Sequence, residues 1–225
     1  MSLLEEALAA HGGRAAWESA TEITARVRCG GLALSTKGAG GPLKSYEARV
    51  RVREPRTVVT PYPGGRGVFE GDSVRLETAS GEPLERRDAM RSRFPGIRRR
   101  LRWDALDALY FAGYACWNYF TTPLLLTRAD LREEGRRLHA RFPDDVPTHS
   151  RRQTFHFDGD GLLTRIDYTA EVFGKWARAK HVCTGHREFD GLVFPTSRRV
   201  TPRGAPGPTL IWIETDDVSV RPILG

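Results

Sequence analysis

"WDALDALYFAGYACWNYF", residues 103–120, is the stretch on which the fold turns. Trp103, Leu106, Tyr110, Tyr114, Trp117 and Phe120 recur at helical spacing. Leu109, Phe111, Ala112, Ala115 and Cys116 fill the positions between them, so no side of the helix is fully polar. A helix apolar around most of its girth is buried on most sides. Asp104 and Asp107 sit in the first turns, where negative charge complements the helix dipole, and Pro123 marks the end. At about 1.5 Å per residue the helix spans roughly 27 Å, enough to cross one sheet face. It is a little short for a bilayer and carries two aspartates, so the wrapper must be protein.

The flanking sequence supplies that wrapper. In "TEITARVRC", residues 21–29, Ile23, Ala25, Val27 and Cys29 alternate with Glu22, Thr24, Arg26 and Arg28, the pattern of a half-buried strand. Tyr46, Ala48, Val50 and Val52 repeat it opposite Glu47, Arg49, Arg51 and Arg53. "KGAGGP" between them reads as a turn, and "RTVVTPYP" and "GVFEGDSVRLET" as further short strands. Residues 79–102 read as a long polar connection. After the helix, six segments from residue 136 to 220 alternate in the same way, separated by turn signals such as Asp158-Gly159-Asp160-Gly161 and Asp190-Gly191. No βαβ rhythm and no GxGxxG after a strand is present, which argues against a dinucleotide fold. The expected architecture is α+β and mainly β. It is one domain over residues 1–225, with an N-terminal helix at 2–12, strands at 20–78, a central helix at 103–120 and strands at 136–220. About ten antiparallel strands form a curved sheet, a half-barrel or open barrel, around the central helix.

Composition narrows the function classes. The 225 residues are 40% apolar and 28% charged, which suits a folded chain with a sizeable core. The net charge is +7 and the sequence pI about 9.7. The arginines are dispersed apart from the run Arg98, Arg99, Arg100, Arg102, and there are only four lysines. With no zinc-finger spacing, RNP-like strand or basic heptad, the balance does not read as a nucleic-acid surface. Cys29, Cys116 and Cys183 are isolated, which fits a reducing compartment and excludes a CxxC metal site. Two early glutamates and no basic n-region argue against a signal peptide, and no integral membrane segment is expected. The expected location is therefore cytoplasmic. No HExxH, GxSxG or P-loop is present, so neither metal nor cofactor is expected.

The residues that carry chemistry lie on the later strands and the helix. His181 shares a face with Ala177, Ala179 and Cys183. Small neighbours beside a titratable group leave room for a ligand, although a core histidine bonded to a carbonyl fits the same pattern. His149 precedes a strand, where it serves as a general base or sits as a solvated loop residue. His156 and His139 read as outward, and His11 as the end of the first helix. On residues 162–172, Ile166, Tyr168, Ala170 and Val172 oppose Leu163, Arg165, Asp167, Thr169 and Glu171. The apolar set is read as inward, which brings the Tyr168 hydroxyl into the cavity. The opposite orientation would pair Asp167 with His181. Trp103, Tyr110, Tyr114, Trp117 and Asn118 complete the candidate ligand set from the helix, as ring-lined pocket or as plain core.

Two resemblances bear on this reading. "ALAAHGGRAAWESATEITARVRCGG", residues 7–31, resembles the opening of bacterial half-barrel proteins of the lipoprotein-carrier, LolA-like type. "YFAGYACWNYFTTPLLL", "FPDDVPTHSRRQTFHFDGDGLLTRIDY" and "AKHVCTGHREFDGLVFPT" resemble a family of bacterial hypothetical proteins over most of the chain, with no settled activity. The first resemblance implies a half-barrel fold and licenses no function by itself. Three functions follow as expectations. The first is a cofactor-independent acid–base enzyme, of isomerase, cyclase or lyase type, acting on a hydrophobic small molecule through His181, Tyr168 and His149. The alternative is a non-catalytic carrier or sensor of lipid or apolar metabolite. The third is an interaction module whose arginine-rich outer face binds an acidic partner.

Overall fold

The computed structural model describes residues 1–94, 102–204 and 207–223. The chain begins with two short helices, α1 (Leu3–Ala10) and α2 (Arg14–Ser19). The first strands are β1 (Ala20–Gly30), β2 (Ser45–Arg51), β3 (Arg56–Tyr62), β4 (Gly65–Glu70), β5 (Ser73–Glu77) and β6 (Pro83–Arg87). Helix α3 (Leu32–Lys37) lies between β1 and β2, and α4 (Met90–Arg93) follows β6. The long helix is α5 (Ala105–Thr121). After it come β7 (Asp130–Glu134), β8 (Arg137–Arg141), β9 (Arg152–Phe157), β10 (Leu163–Thr169), β11 (Arg178–Phe189), β12 (Leu192–Pro202) and β13 (Ile211–Pro222).

These thirteen strands form one sheet, in the order β6-β5-β4-β3-β2-β1-β13-β12-β11-β10-β9-β8-β7. Every pairing is antiparallel and the sheet does not close, because β6 and β7 are its two edges. The topology explains the helix. The first six strands walk to one edge, and the last seven walk back from the other until β13 pairs with β1. The chain must cross from edge to edge between them, and α5 is that crossing. Its 17 residues reach about 25 Å. Residues 106–121 of the helix are all buried, so the greasy stretch is wrapped as expected. Asp104 caps it, and Asp107 returns a bond to the Asp104 backbone in a capping box.

The alternation in the sequence is realised on β1 and β2. Ile23, Ala25, Val27, Ala48 and Val50 are buried, while Arg26, Arg28, Arg49 and Arg51 face solvent. Register shifts in β1 against β13, at Ala20/Glu22 and Arg26/Val27, add local bend to the seam between the halves. Two expectations need correction. There are thirteen strands among the described residues rather than about ten, and residues 79–102 are not simply a connection, since β6 and α4 lie within them. The connection between β1 and β2 also holds α3, which ends at Lys37 where the stretch read as a turn begins. The arginine run at 98–100 lies outside the described residues.

The two ends of this curved sheet differ. At one end α1 and α2 form a floor. Leu3, Leu8 and Trp17 are buried there, and the Trp17 ring packs on Phe194 at 5.6 Å. His11 caps α1 and receives the Leu163 amide at 3.4 Å. At the other end the helix enters beside α3, where the Trp103 amide bonds the Lys37 carbonyl at 2.8 Å. No helix among the described residues is long and apolar enough to cross a membrane.

Candidate functional site

The open end holds a cavity of about 610 Å³. Its walls come from α3, from Phe111 on α5, from the inward ends of β10 to β13, and from the 170–177 segment joining β10 to β11. The lining is mostly apolar: Phe111, Ala170, Phe173, Val200, Leu210 and Ile211. Leu32 and Trp176 stand at the rim, 60% and 80% exposed, an unusual display of large apolar side chains. Lys37, Arg178 and Arg203 bring positive charge to the same rim. The Lys37 ammonium lies about 6 Å from the Trp103 and Phe173 rings. The Trp103 Nε1 is buried without a hydrogen-bond partner among the described residues.

His149 and Tyr168 form part of the inner wall. Their rings stack at 4.2 Å with planes 7° apart. The sequence-based choice of the apolar face of β10 as inward holds for Tyr168, whose side chain is buried. Asp167 points to the opposite face. There it accepts bonds from Arg165 at 2.7 Å and His156 at 3.0 Å, so it does not meet His181. Burial alone would raise its carboxyl pKa. The bonds from His156 and Arg165 outweigh that and hold it at about 2.

Behind the inner wall runs a buried polar chain. His149 sits between two tyrosines, with Tyr114 Oη 3.2 Å from Nδ1 and Tyr119 Oη 2.9 Å from Nε2. The Tyr119 hydroxyl also faces that of Tyr168. Tyr168 Oη lies 3.3 Å from His181 Nδ1. Arg198 then reaches His181 Nε2 at a long 3.5 Å and donates to Cys183 Sγ at 3.1 Å. A guanidinium can only donate, so Nε2 of His181 accepts and Nδ1 carries the proton toward Tyr168. Arg198 also donates to the Tyr119 carbonyl at 3.3 Å, and its guanidinium stacks over the Tyr119 ring at 4.6 Å.

Burial sets the protonation of this chain. It pulls His149 down to about 3. It also pulls His181 well below the usual histidine range, with the Arg198 charge adding to the effect. Both imidazoles are therefore neutral near pH 7. Burial pushes the Tyr168 hydroxyl and the Cys183 thiol upward, so neither is ionised. The groups are satisfied by one another, weakly basic and weakly acidic. That arrangement orients hydrogen bonds between neutral groups.

The sequence-predicted residues fall into three places. His149, Tyr168, His181 and Cys183 come together around the cavity and just behind it, and Trp103 packs 4.9 Å from Phe173 at the open end. Tyr110 packs between Phe69 and Phe94, away from the cavity. Trp117 donates to the Arg51 carbonyl on the β2 side, and Asn118 ties the Tyr114 and Pro147 carbonyls together. Those three, with Asp167, are not in the cavity lining. The sequence reading counts Tyr119 among the helix rings with polar tips, and it missed Arg198 as a member of the polar chain. Arg198 was detectable, since it shares the β12 phase with the apolar Phe194 and Val200.

The architecture is that of the LolA-like half-barrels. A LolA superfamily protein from Nitrosomonas europaea superposes with a TM-score of 0.50 at 10% identity, covering 99% of this chain and 93% of its own. A DUF1329 family protein from Desulfovibrio piger gives 0.51 at 14% identity, with 99% and 93% covered. A proposed outer membrane lipoprotein-sorting protein domain from Vibrio parahaemolyticus gives 0.53 at 8% identity, with 99% and 92% covered. No protein-family model and no curated sequence matches the chain. At such identities the likeness is one of fold.

Proposed function

We propose that this protein binds an apolar small molecule, without chemistry, in the cavity between α5 and the curved sheet, as a carrier or sensor. The observation that carries this reading is the roughly 610 Å³ apolar cavity at the open end, a volume ordinary for small-molecule sites. The exposed Trp176 and Leu32 at its rim suit an apolar ligand crossing from solvent. The fold likeness to a proposed lipoprotein-sorting domain points the same way. The acid–base reading through His181, Tyr168 and His149 is the weaker one, because a histidine held near 3 is a poor base at pH 7.

The test is solvent extraction of the purified protein followed by mass spectrometry. A carrier or sensor yields one chemically unchanged ligand class at a fixed ratio to protein. Recovery of no apolar compound, together with no binding of apolar fluorescent probes, would remove the proposal.

A further inference from the structure

Arg198 is 3% exposed, yet among the described residues no carboxylate oxygen lies within 4 Å of its guanidinium. Its neighbours are neutral: the His181 imidazole, the Cys183 thiol, the Tyr119 carbonyl and the Tyr119 ring. The Tyr119 carbonyl belongs to the last turn of α5, so the helix dipole supplies a partial negative charge. That compensation is incomplete for a full buried charge.

The position of this guanidinium relative to the cavity is fixed by register. Val200, on the cavity wall, pairs with His181 and Ile211; Arg198 pairs with Cys183 and Ile213. Arg198 is therefore two residues further in on the same face, about 7 Å at ordinary strand rise. A second void of about 20 Å³ lies there, with Arg198 in its wall among Val27, Leu43, Ala115, Phe120 and Ile213. Phe111 and Ile211 line both this void and the open-end cavity. The void holds about one water-sized group, and Phe111 and Ile211 are all that is shared between it and the larger cavity, so a carboxylate seated at Arg198 requires the Phe111 ring to shift.

We propose that the ligand is an acidic amphiphile, with its carboxylate paired to Arg198 and its apolar body in the open-end cavity. This deepens the binding reading above and depends on it. A carboxylate supplies the counter-charge that the fold leaves out, and guanidinium and carboxylate match in two-pronged geometry. The basic rim of Lys37, Arg178 and Arg203 favours the approach of the same sign of ligand.

The test compares 11-(dansylamino)undecanoic acid with its methyl ester, by fluorescence titration on the intact protein. The wild type should bind the acid about tenfold or more tighter than the ester, as expected for one charged hydrogen-bonded pair. In Arg198→Gln the preference for acid over ester should collapse to about one, whatever the absolute affinities. Arg198→Lys, which keeps the charge, should retain part of the preference and serves if the glutamine variant does not fold. Equal binding of acid and ester by the wild type overturns the anion assignment while leaving apolar binding intact. A preference that survives Arg198→Gln but falls in Arg203→Gln overturns it in favour of the rim. If neither probe binds the wild type, the cavity-binding reading and this one fall together.

Discussion

At the scale of single residues the interior holds histidines that burial keeps neutral near pH 7. Burial holds His149 at about 3 and His11 at about 4, and it depresses His181 further below the ordinary value. In the unfolded chain each titrates near 6.5. Between the two values the unfolded state binds more protons than the folded one, so stability falls as pH falls. It should be flat above about pH 6.5 and drop below it by about 1.4 kcal/mol per pH unit for each histidine. Asp167, held at about 2, adds its own loss as pH falls from about 3.9, the ordinary carboxyl value, toward 2. Urea titrations from pH 7.5 to 4.5 measure the slope. His149→Asn should be less stable at pH 7 yet show a shallower slope by about one histidine's share; an unchanged slope would contradict the burial argument. The sequence showed where these groups lie but not their state. Alternation placed His181 and Tyr168 inward, whereas nothing local distinguished a loop His149 in solvent from one enclosed by Tyr114 and Tyr119. Arg198 was hidden for the opposite reason: an arginine is by default a surface residue, and here its strand phase contradicts that default.

At the scale of elements, the contact of α5 with the sheet depends on two glycines. A Cβ on Gly113 would stand 2.3 Å from Cβ of Phe69 on β4, an atom fixed to the backbone. A Cβ on Gly67 would stand 2.5 Å from the tip of Leu109 and 3.0 Å from the Tyr62 ring, both side-chain atoms rather than atoms fixed to the backbone. Gly113→Ala gains helix propensity of up to about 1 kcal/mol but forces helix and strand apart. The expected net effect is a loss of about 1–3 kcal/mol in denaturant unfolding, from overpacking. Gly67→Ala should cost less, since a side-chain tip can turn away. A stabilised Gly113→Ala would mean that the helix floats on the sheet rather than bearing on it. The same helix was the most legible element, because its apolar girth left no other place for it than inside. The strands that escaped were β6 and β7, and the reason is their position. As edges they are exposed on both faces, with Leu84 and Leu131 the only aliphatic residues in them, so no two-residue period is imposed on their sequence. Alternation reports one wet and one dry face, and an edge strand lying beyond the core has two wet ones.

At the scale of the whole molecule the proposed binding rests on the asymmetry between floor and open end. In the floor Phe194 packs against both Trp17 and Phe120. The open end faces solvent along walls that would otherwise close on themselves as core. A ligand bound only to the folded state should raise stability by about 2.7 kcal/mol at a hundredfold excess over its dissociation constant. Val200 offers a way to separate that effect from packing. It lies on the cavity wall, paired with His181 and Ile211 on the neighbouring strands. Val200→Trp places a large ring in solvent-accessible volume rather than in filled core, so its own cost should stay within about 1–3 kcal/mol. The ring should nevertheless occupy the seat of the ligand and weaken an apolar probe by about tenfold or more, an energetic change of about 1.4 kcal/mol. Thermal melts with and without the probe, at a hundredfold excess over the wild-type dissociation constant, test both claims together: the probe should raise the melting temperature of the wild type, and raise that of the variant by about half as much or less. If the variant is stabilised by the probe as much as the wild type, the ligand sits elsewhere, and the curved sheet with its buried helix is a scaffold whose open end does not bind.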